Sequence, residues 1–328
     1  MSIRVGIVGV SGYGGGEALR LCATHPTFEL VYVAGEGSAG QKLIERFPGV
    51  GSLGDLVIQK WDPAALPNLD VLFASLPTGE SKAGLAAVPA KTKIVDIGGD
   101  HRAAEGWTYG LADVWPDKIR GATRVANPGC YPAAALLALA PLVKGGLVDP
   151  EGLVVDAQTG VTGAGRGGAS DFGYVDTSED VFAYGLESHP HVPEMEKALA
   201  QVCGGKVTIA FTPHLVPMKR GILATCYARA RGAVPAERLY EAARACYAGE
   251  PFVRIVPIEK GRSPHTRWAT GSNFAFLSYA VNERTGHVIA LAAIDNLGKG
   301  ASAQALQNAN LMTGQPETAG LAGLPLTA

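Results

Sequence analysis

Short apolar runs alternate with helical stretches along the first third of the chain. The apolar runs fall at 3–8, 29–33, 69–76 and 93–97, and the helical stretches at 14–23 and 81–88. β-Branched runs of this length, separated by helical composition, are typical of strands joined by crossover helices. The pattern therefore predicts a parallel sheet that begins with a βαβ unit.

From residue 153 onward the alternation changes. Longer apolar stretches with fewer helices between them fall at 154–158, 206–211, 221–229 and 273–281. This pattern predicts a second, α+β domain whose sheet is mixed or antiparallel. The chain returns to helical composition after about residue 300.

Glycines cluster in the turn between the first predicted strand and the first predicted helix. GxxGxxG occurs there within GVSGYGGGEALR, and the candidate residues are Gly9, Ser11, Gly12, Tyr13, Gly14 and Gly15. The amino end of a helix attracts a phosphate, and side chains at the turn would keep the phosphate out. The turn predicts a dinucleotide site; the alternative is a glycine-rich turn that binds nothing.

These patterns together predict an α/β protein of two domains. A Rossmann-type dinucleotide-binding domain is expected at 1–129, and a catalytic and dimerisation domain of α+β type with a mixed or antiparallel sheet at 130–299. A C-terminal helix at about 300–328 is expected to pack back on the first domain.

Glu36 follows the second predicted strand in AGEGSAG. A carboxylate at this point accepts hydrogen bonds from the adenosine ribose hydroxyls and repels a 2′-phosphate. Glu36 therefore makes NAD(H) a candidate cofactor. The alternative is a solvated loop charge.

Cys130 lies in VANPGCYPAAALLALAPLV, where Pro132 suits an early position of an Ala/Leu-rich helix. The positive end of a helix stabilises a thiolate, so this position favours a nucleophile. The alternative is a buried core cysteine, the commoner role of the residue. Among the seven histidines, His189 and His191 in ESHPHVPEME are the candidate proton carriers. A metal pair is the rival interpretation, but no third ligand stands at an obvious spacing.

Three arginines in predicted loops are candidates for binding an anionic substrate. They are Arg102 in DIGGDHR, Arg166 in TGVTGAGRGG and Arg220 in PMKRG. Any single one is more often a solvated surface charge, whereas the set beside a thiolate suggests a phosphate or carboxylate.

Charge and composition limit the partners. The net charge of −2 provides no field for a nucleic acid, and five cysteines without CxxC spacing indicate neither a disulfide framework nor a metal site. The longest nearly uncharged apolar run, at 131–143, is too short to span a bilayer. The chain begins without the features of a signal peptide, so it is expected to be cytoplasmic, with no membrane partner.

Several segments resemble those of the N-acetyl-gamma-glutamyl-phosphate reductases, within the aspartate-semialdehyde dehydrogenase-like group. They are GVSGYGGGE, NPGCYPAA, TGVTGAGR, AYG…HPHVPEME, FTPHLVPMKRGILAT, GSN and DNLGKGA…QALQNANLM. The resemblance implies reduction of an acyl phosphate by NADPH through a Cys130 thioester. It pairs His191 with Cys130 and places His189 beside the substrate, with Asn127 and the Cys130 main-chain N–H as oxyanion donors.

By the same resemblance, Pro77, Gly163, Gly165 and Asn296 are expected near the cofactor, and the enzyme is expected to be a dimer or tetramer. The chain departs from the family at Gly35-Glu36, where the family has a polar pair suited to NADP(H), and at HPH, where HRH is commoner. Two alternatives stay open: a reductase of aminoadipyl or aspartyl phosphate, and an inactive nucleotide-binding regulator.

Overall fold

The computed structural model describes residues 2–166, 177–260 and 262–326, which form two compact units. The first unit contains the described residues up to Gly129, residues 165–166 and Ala301–Gly323. The second contains Cys130–Ala164, the described residues between 177 and 300, and residues 324–326. The helices are α1 Tyr13–Cys22, α2 Leu43–Arg46, α3 Ser81–Leu85, α4 Pro116–Arg120, α5 Cys130–Lys144, α6 His191–Cys203, α7 Ala236–Cys246, α8 Thr266–Ala269 and α9 Ala303–Met312.

The first unit has a six-stranded sheet in the order β2-β1-β3-β4-β6-β5. Its strands are β1 Ile3–Val8, β2 Phe28–Ala34, β3 Val71–Ala74, β4 Lys93–Asp96, β5 Thr108–Tyr109 and β6 Arg124–Ala126. All adjacent strands are parallel. Every residue of β3 is buried, as expected for an inner strand covered on both faces.

The second unit has a seven-stranded mixed sheet in the order β11-β12-β13-β10-β7-β9-β8. Its strands are β7 Leu153–Gly160, β8 Phe182–Ala183, β9 Ile209–Val216, β10 Ile222–Arg229, β11 Val253–Ile255, β12 Ala275–Asn282 and β13 His287–Ile294. Buried and more exposed residues alternate along β9 and β10. One face of the sheet is therefore buried, with α5 packed on it, and the other is partly open.

Helix α5 is the central helix of the second unit, and almost all of its residues are buried. It is apolar on every side, the pattern of a core helix rather than a surface helix. Its first residue is Cys130. The fold thus holds the candidate nucleophile at the amino end of a rigid, buried element.

The C-terminal helix α9 is shorter than the predicted 300–328. It ends at Met312, and Gly314 after it adopts a φ of +69°, a conformation that ends helices. A π-helical turn, Gly298–Ser302, precedes it. Helix α9 packs against α1 and α4 within the first unit.

His25 and His101 stand in polar turn sequences that predict surface positions, but both are buried. The Nε2 of His25 lies 3.0 Å from Oδ1 of Asn310, and its Nδ1 accepts the main-chain N–H of Phe28. The Nδ1 of His101 lies 2.6 Å from Oδ2 of Asp96. Polar partners distant in sequence make this burial possible, so the polar local context was misleading.

Candidate active site

Cys130 faces a cavity of about 200 Å³ in the second unit. The cavity is lined by Cys130, Tyr131, Thr159, Gly163, Ala164, Tyr184, His189, His191 and Leu215. The thiol is half-buried at the first residue of α5, where the positive end of the helix favours its ionised form. The structure therefore brings Cys130 together with both predicted histidines.

His189 and His191 lie side by side at the amino end of α6. Their ring centroids are 4.7 Å apart, and the main-chain N–H of His191 donates to Nδ1 of His189 at 3.1 Å. Burial lowers the pKa of His189, which keeps the ring neutral at pH 7. With Nδ1 acting as acceptor, the proton of the neutral ring is on Nε2. His189 can therefore donate a hydrogen bond through Nε2.

Two tyrosines complete the cavity and were not among the predicted site residues. The Tyr184 hydroxyl donates to the Tyr131 hydroxyl at 3.1 Å, and the Tyr131 hydroxyl donates to the His214 carbonyl at 3.2 Å. Burial raises the pKa of Tyr131 well above its ordinary value and that of Tyr184 to about 12, so both stay protonated. Both residues lie in the matched segments NPGCYP and AYG, but a tyrosine beside apolar residues is typical of a core position.

The turn Val161–Ala164 forms another wall through Gly163. The Asn296 side chain holds this turn in place, because its Nδ2 donates a hydrogen bond to Thr162 Oγ1 at 2.9 Å. Its Oδ1 accepts the main-chain N–H of Gly221 at 2.8 Å. The Asn296 amide is thus engaged within the second unit. Its predicted contact with the cofactor stays a prediction.

The three candidate arginines have different surroundings. Arg220 is ion-paired with the fully buried Asp295 and does not line the cavity. Arg102 donates from Nε to the Asn127 carbonyl at 3.1 Å within the first unit. Arg166 is exposed, with its guanidinium 4.8 Å from the ring centroid of Tyr13.

Asn127 is fully buried in the first unit. Its Nδ2 donates to the main-chain carbonyls of Pro128 and Ala301, and its Oδ1 accepts from Asn308. These bonds engage the side-chain amide in holding the turn that precedes Cys130 in the chain. They give no support to its expected role as an oxyanion donor.

The glycine-rich turn of the first unit packs so closely against neighbouring main chain that two of its positions require glycine. A Cβ on Gly9 would lie 2.0 Å from the Ser75 carbonyl oxygen, and one on Gly15 would lie 2.1 Å from the Gly9 carbonyl oxygen. Gly9 also has a φ of +79°. Helix α1 begins directly after Gly12 and has no acidic residue in its first turn. The residues present therefore fit a dinucleotide pyrophosphate.

Glu36 and Pro77 follow the carboxyl ends of β2 and β3, on the same edge of the sheet as the glycine-rich turn. Glu36 is exposed. The preceding Gly35 packs on Ser11, because a Cβ there would lie 2.9 Å from Ser11 Oγ. Ser11 is in turn hydrogen-bonded to Ser38. These contacts hold the Glu36 loop beside the glycine-rich turn.

The described ranges contain neither a metal-binding cluster nor a helix suited to a membrane. Among those residues no group of three or more His, Cys, Asp and Glu side chains is placed to hold a metal ion. In the same ranges no helix is both long and apolar enough to cross a bilayer.

Comparison with known proteins identifies both parts of the chain. Residues 4–122 match the family described as semialdehyde dehydrogenase, NAD binding domain, and residues 130–296 match semialdehyde dehydrogenase, dimerisation domain. The prediction of a Rossmann-type domain followed by an α+β domain with a mixed sheet is thereby confirmed. The chain thus has an NAD(P)-binding domain and a region of the dimerisation type.

Full-length relatives are named N-acetyl-gamma-glutamyl-phosphate reductase. One from Bradyrhizobium sp. (strain ORS 278) is 62% identical and covers 99% of both chains. One from Methylobacterium sp. (strain 4-46) is 60% identical with the same coverage. The fold is shared with the aspartate semialdehyde dehydrogenase II of Vibrio cholerae complexed with ASA, at a TM-score of 0.74 and 15% identity over 95% of this chain and 98% of that one. A Candida albicans aspartate semialdehyde dehydrogenase with NADP has a TM-score of 0.73 at 16% identity, over 94% of this chain and 98% of that one.

Proposed function

The chain belongs to the N-acetyl-gamma-glutamyl-phosphate reductase family, and we propose that it reduces N-acetyl-L-glutamyl 5-phosphate to N-acetyl-L-glutamate 5-semialdehyde and phosphate in arginine biosynthesis. The observation that carries the proposal is the cavity in which Cys130, at the amino end of α5, faces His189 and His191. A thiolate beside imidazoles is the arrangement required for covalent acyl transfer. Consumption of NAD(P)H for biosynthesis agrees with the predicted cytoplasmic location.

In this proposal the Cys130 thiolate attacks the acyl carbon of the substrate and expels phosphate, leaving a thioester. The helix end at Cys130 stabilises the anionic sulfur, and the main-chain N–H of Cys130 is the proposed oxyanion donor. A bound NAD(P)H supplies the hydride that reduces the acyl carbon. Breakdown of the resulting thiohemiacetal to the aldehyde returns the thiolate.

The two histidines have separate proposed roles. His191 exchanges a proton with Cys130 and with the acyl oxygen of the substrate, whose charge changes during the reaction. His189, neutral and protonated on Nε2, donates a hydrogen bond to the substrate oxygen. Arg102, Arg166 and Arg220 are proposed ligands of the substrate phosphate and carboxylate, with Arg220 already oriented by Asp295.

A steady-state assay in the reverse direction tests the proposed reaction. Purified protein with N-acetylglutamate semialdehyde, phosphate and NAD(P)+ is expected to form NAD(P)H. Aspartate semialdehyde and a carrier-linked aminoadipate semialdehyde serve as comparison substrates. Faster turnover of either comparison substrate would assign a different acyl phosphate, and turnover of none would favour a non-catalytic regulator.

Glu36 is proposed to reduce the preference of the enzyme for NADP(H) over NAD(H). The carboxylate is exposed after β2, where it would repel a 2′-phosphate. We expect Glu36→Ser to raise the ratio of kcat/KM for NADP+ to that for NAD+ by about ten-fold, which corresponds to about 1.4 kcal/mol. Paired assays with both cofactors measure the ratio. Glu45→Ser, an exposed glutamate of α2, is the matched control. An unchanged ratio in the Glu36 variant would remove this role.

We also propose that the protein is a homodimer through the open face of its second sheet. The region matches a dimerisation domain, and Val154 of β7 and Tyr227 of β10 are 38% and 37% exposed on that sheet. Exposed apolar side chains on one sheet face are typical of an association surface. The double substitution Val154→Glu, Tyr227→Glu is expected to shift sedimentation to the monomer. Ile44→Glu, at an exposed apolar position in α2, should leave the dimer intact, and a dimeric double variant would contradict the proposal.

A further inference from the structure

Asp295 is buried in the second unit, where its carboxylate binds groups from several parts of the chain. Its carboxylate forms an ion pair with Arg220, with Nε 2.9 Å from Oδ2 and a further guanidinium N–H donated to Oδ1 at 3.0 Å. The main-chain N–H groups of Gly271, Leu297 and Gly298 donate to the same carboxylate. A buried charge is stable only with such partners. Asp295 therefore fixes the Arg220 guanidinium and the start of the turn that follows.

That turn, Gly298–Ser302, is π-helical. The main-chain N–H of Gly300 donates to the Asp295 carbonyl at 2.9 Å, five residues earlier. The Lys299 side chain is fully buried, with its ammonium 5.6 Å from the ring centroid of Phe252. Single π-helical turns occur frequently at functional sites. The main chain at Gly300 is thus held by Asp295 before it and by a buried side chain beside it.

Gly300 lies directly against Cys130. A Cβ on Gly300 would lie 2.8 Å from Cβ of Cys130 and 3.2 Å from its Cα. Non-bonded carbon atoms do not pack this closely, so any side chain at residue 300 would clash with Cys130. The main chain of Gly300 therefore limits where the Cys130 side chain can lie. The φ of Gly300 is not in the left-handed region, so space is what requires glycine here.

We infer that the segment from Asp295 to Gly300 is a positioning element that holds Arg220 by its carboxylate and Cys130 by its main chain. One rigid segment would then set the nucleophile in relation to a substrate-binding guanidinium. The inference rests on the proposed function, in which Cys130 is the nucleophile and Arg220 a substrate ligand. Asp295 and Gly300 act through these two residues and are positioning residues themselves.

Gly300→Ala tests the contact with Cys130. The added methyl group displaces the thiol, so kcat in the reverse assay is expected to fall by about 10²-fold while KM changes by less than about two-fold. The rate of Cys130 alkylation by iodoacetamide, followed by peptide mass spectrometry on the gel-filtered, folded fraction, is expected to change by about five-fold or more. Cys203 in the same chain is the internal reference, and Gly205→Ala, at an open position, should match the wild type in every readout.

Asp295→Asn tests the contact with Arg220, because it removes the charge that orients the guanidinium. KM for the semialdehyde is expected to rise by about ten-fold. Wild-type kcat and Cys130 labelling in folded Gly300→Ala, or wild-type KM in Asp295→Asn, would overturn the inference. If the wild type shows no turnover, or Cys130→Ser retains it, the proposed function fails instead. Labelling of Cys130 needs no turnover and still decides the contact with Gly300.

Discussion

Cys130→Ser is expected to lower kcat/KM by about 10⁴-fold, because serine lacks a side chain that ionises near neutral pH. The helix end that stabilises a thiolate at Cys130 cannot make an alkoxide available at pH 7. Cofactor binding should be unchanged, since the glycine-rich turn belongs to the other unit. Steady-state kinetics and cofactor titration of the same preparation measure the two effects.

Cys203→Ser is the matched control for this prediction. Cys203 is the last residue of α6, is also partly exposed, and does not line the cavity. Its removal should leave kcat/KM within about two-fold of the wild type, as for most surface substitutions. A Cys130→Ser enzyme with the full wild-type rate would show that no thioester forms.

His191→Asn is expected to lower kcat by about 10²- to 10³-fold, the usual contribution of a positioned acid or base. Asparagine keeps a polar side chain at the start of α6 but cannot carry the proton that passes to and from Cys130. The rate of Cys130 alkylation at pH 7 should fall as well, because the thiolate loses its imidazole partner. Labelling and turnover that both match the wild type would remove His191 from the mechanism.

The pH dependence of kcat in His189→Asn distinguishes the role of His189 from that of His191. Burial lowers the pKa of His189 below the ordinary value of 6.5, so the ring stays neutral as the pH falls through 6.5 and is protonated only below it. Activity that needs the neutral ring should therefore persist at pH 6.5 and be lost at lower pH. His189→Asn should lower kcat and remove this acid-side loss. An unchanged profile in the variant would contradict the assignment.

The sequence predicted the helices and strands whose start or pattern is determined by neighbouring residues. β1 matches the predicted 3–8, and α5 begins at Cys130, where the turn residues and Pro132 indicate a helix start. Helix α6 begins at His191, which places the second of the two predicted histidines on the helix itself. β13, not predicted, is His287–Ile294, and its pairing with β10 and β12 is fixed by distant partners.

The site residues differ in the same way. Cys130, His189 and His191 could be predicted because helix ends and paired histidines are local patterns. The surroundings of Arg220 and Asn127 could not, since their partners Asp295 and Asn308 are distant in sequence. Residue type suggested an anion ligand and an oxyanion donor, and only the structure shows that Asp295 orients the Arg220 guanidinium and that the Asn127 amide is engaged in a turn.

The most direct test of the covalent mechanism is a rapid-mixing experiment without phosphate. Enzyme, N-acetylglutamate semialdehyde and the preferred oxidised cofactor are mixed, and the reduced cofactor is followed by absorbance. The thioester at Cys130 should accumulate, giving one reduced cofactor per site, and added phosphate should then start steady turnover. Cys130→Ser should give no burst. A wild type without a burst, or a burst that persists in Cys130→Ser, would contradict a Cys130 thioester.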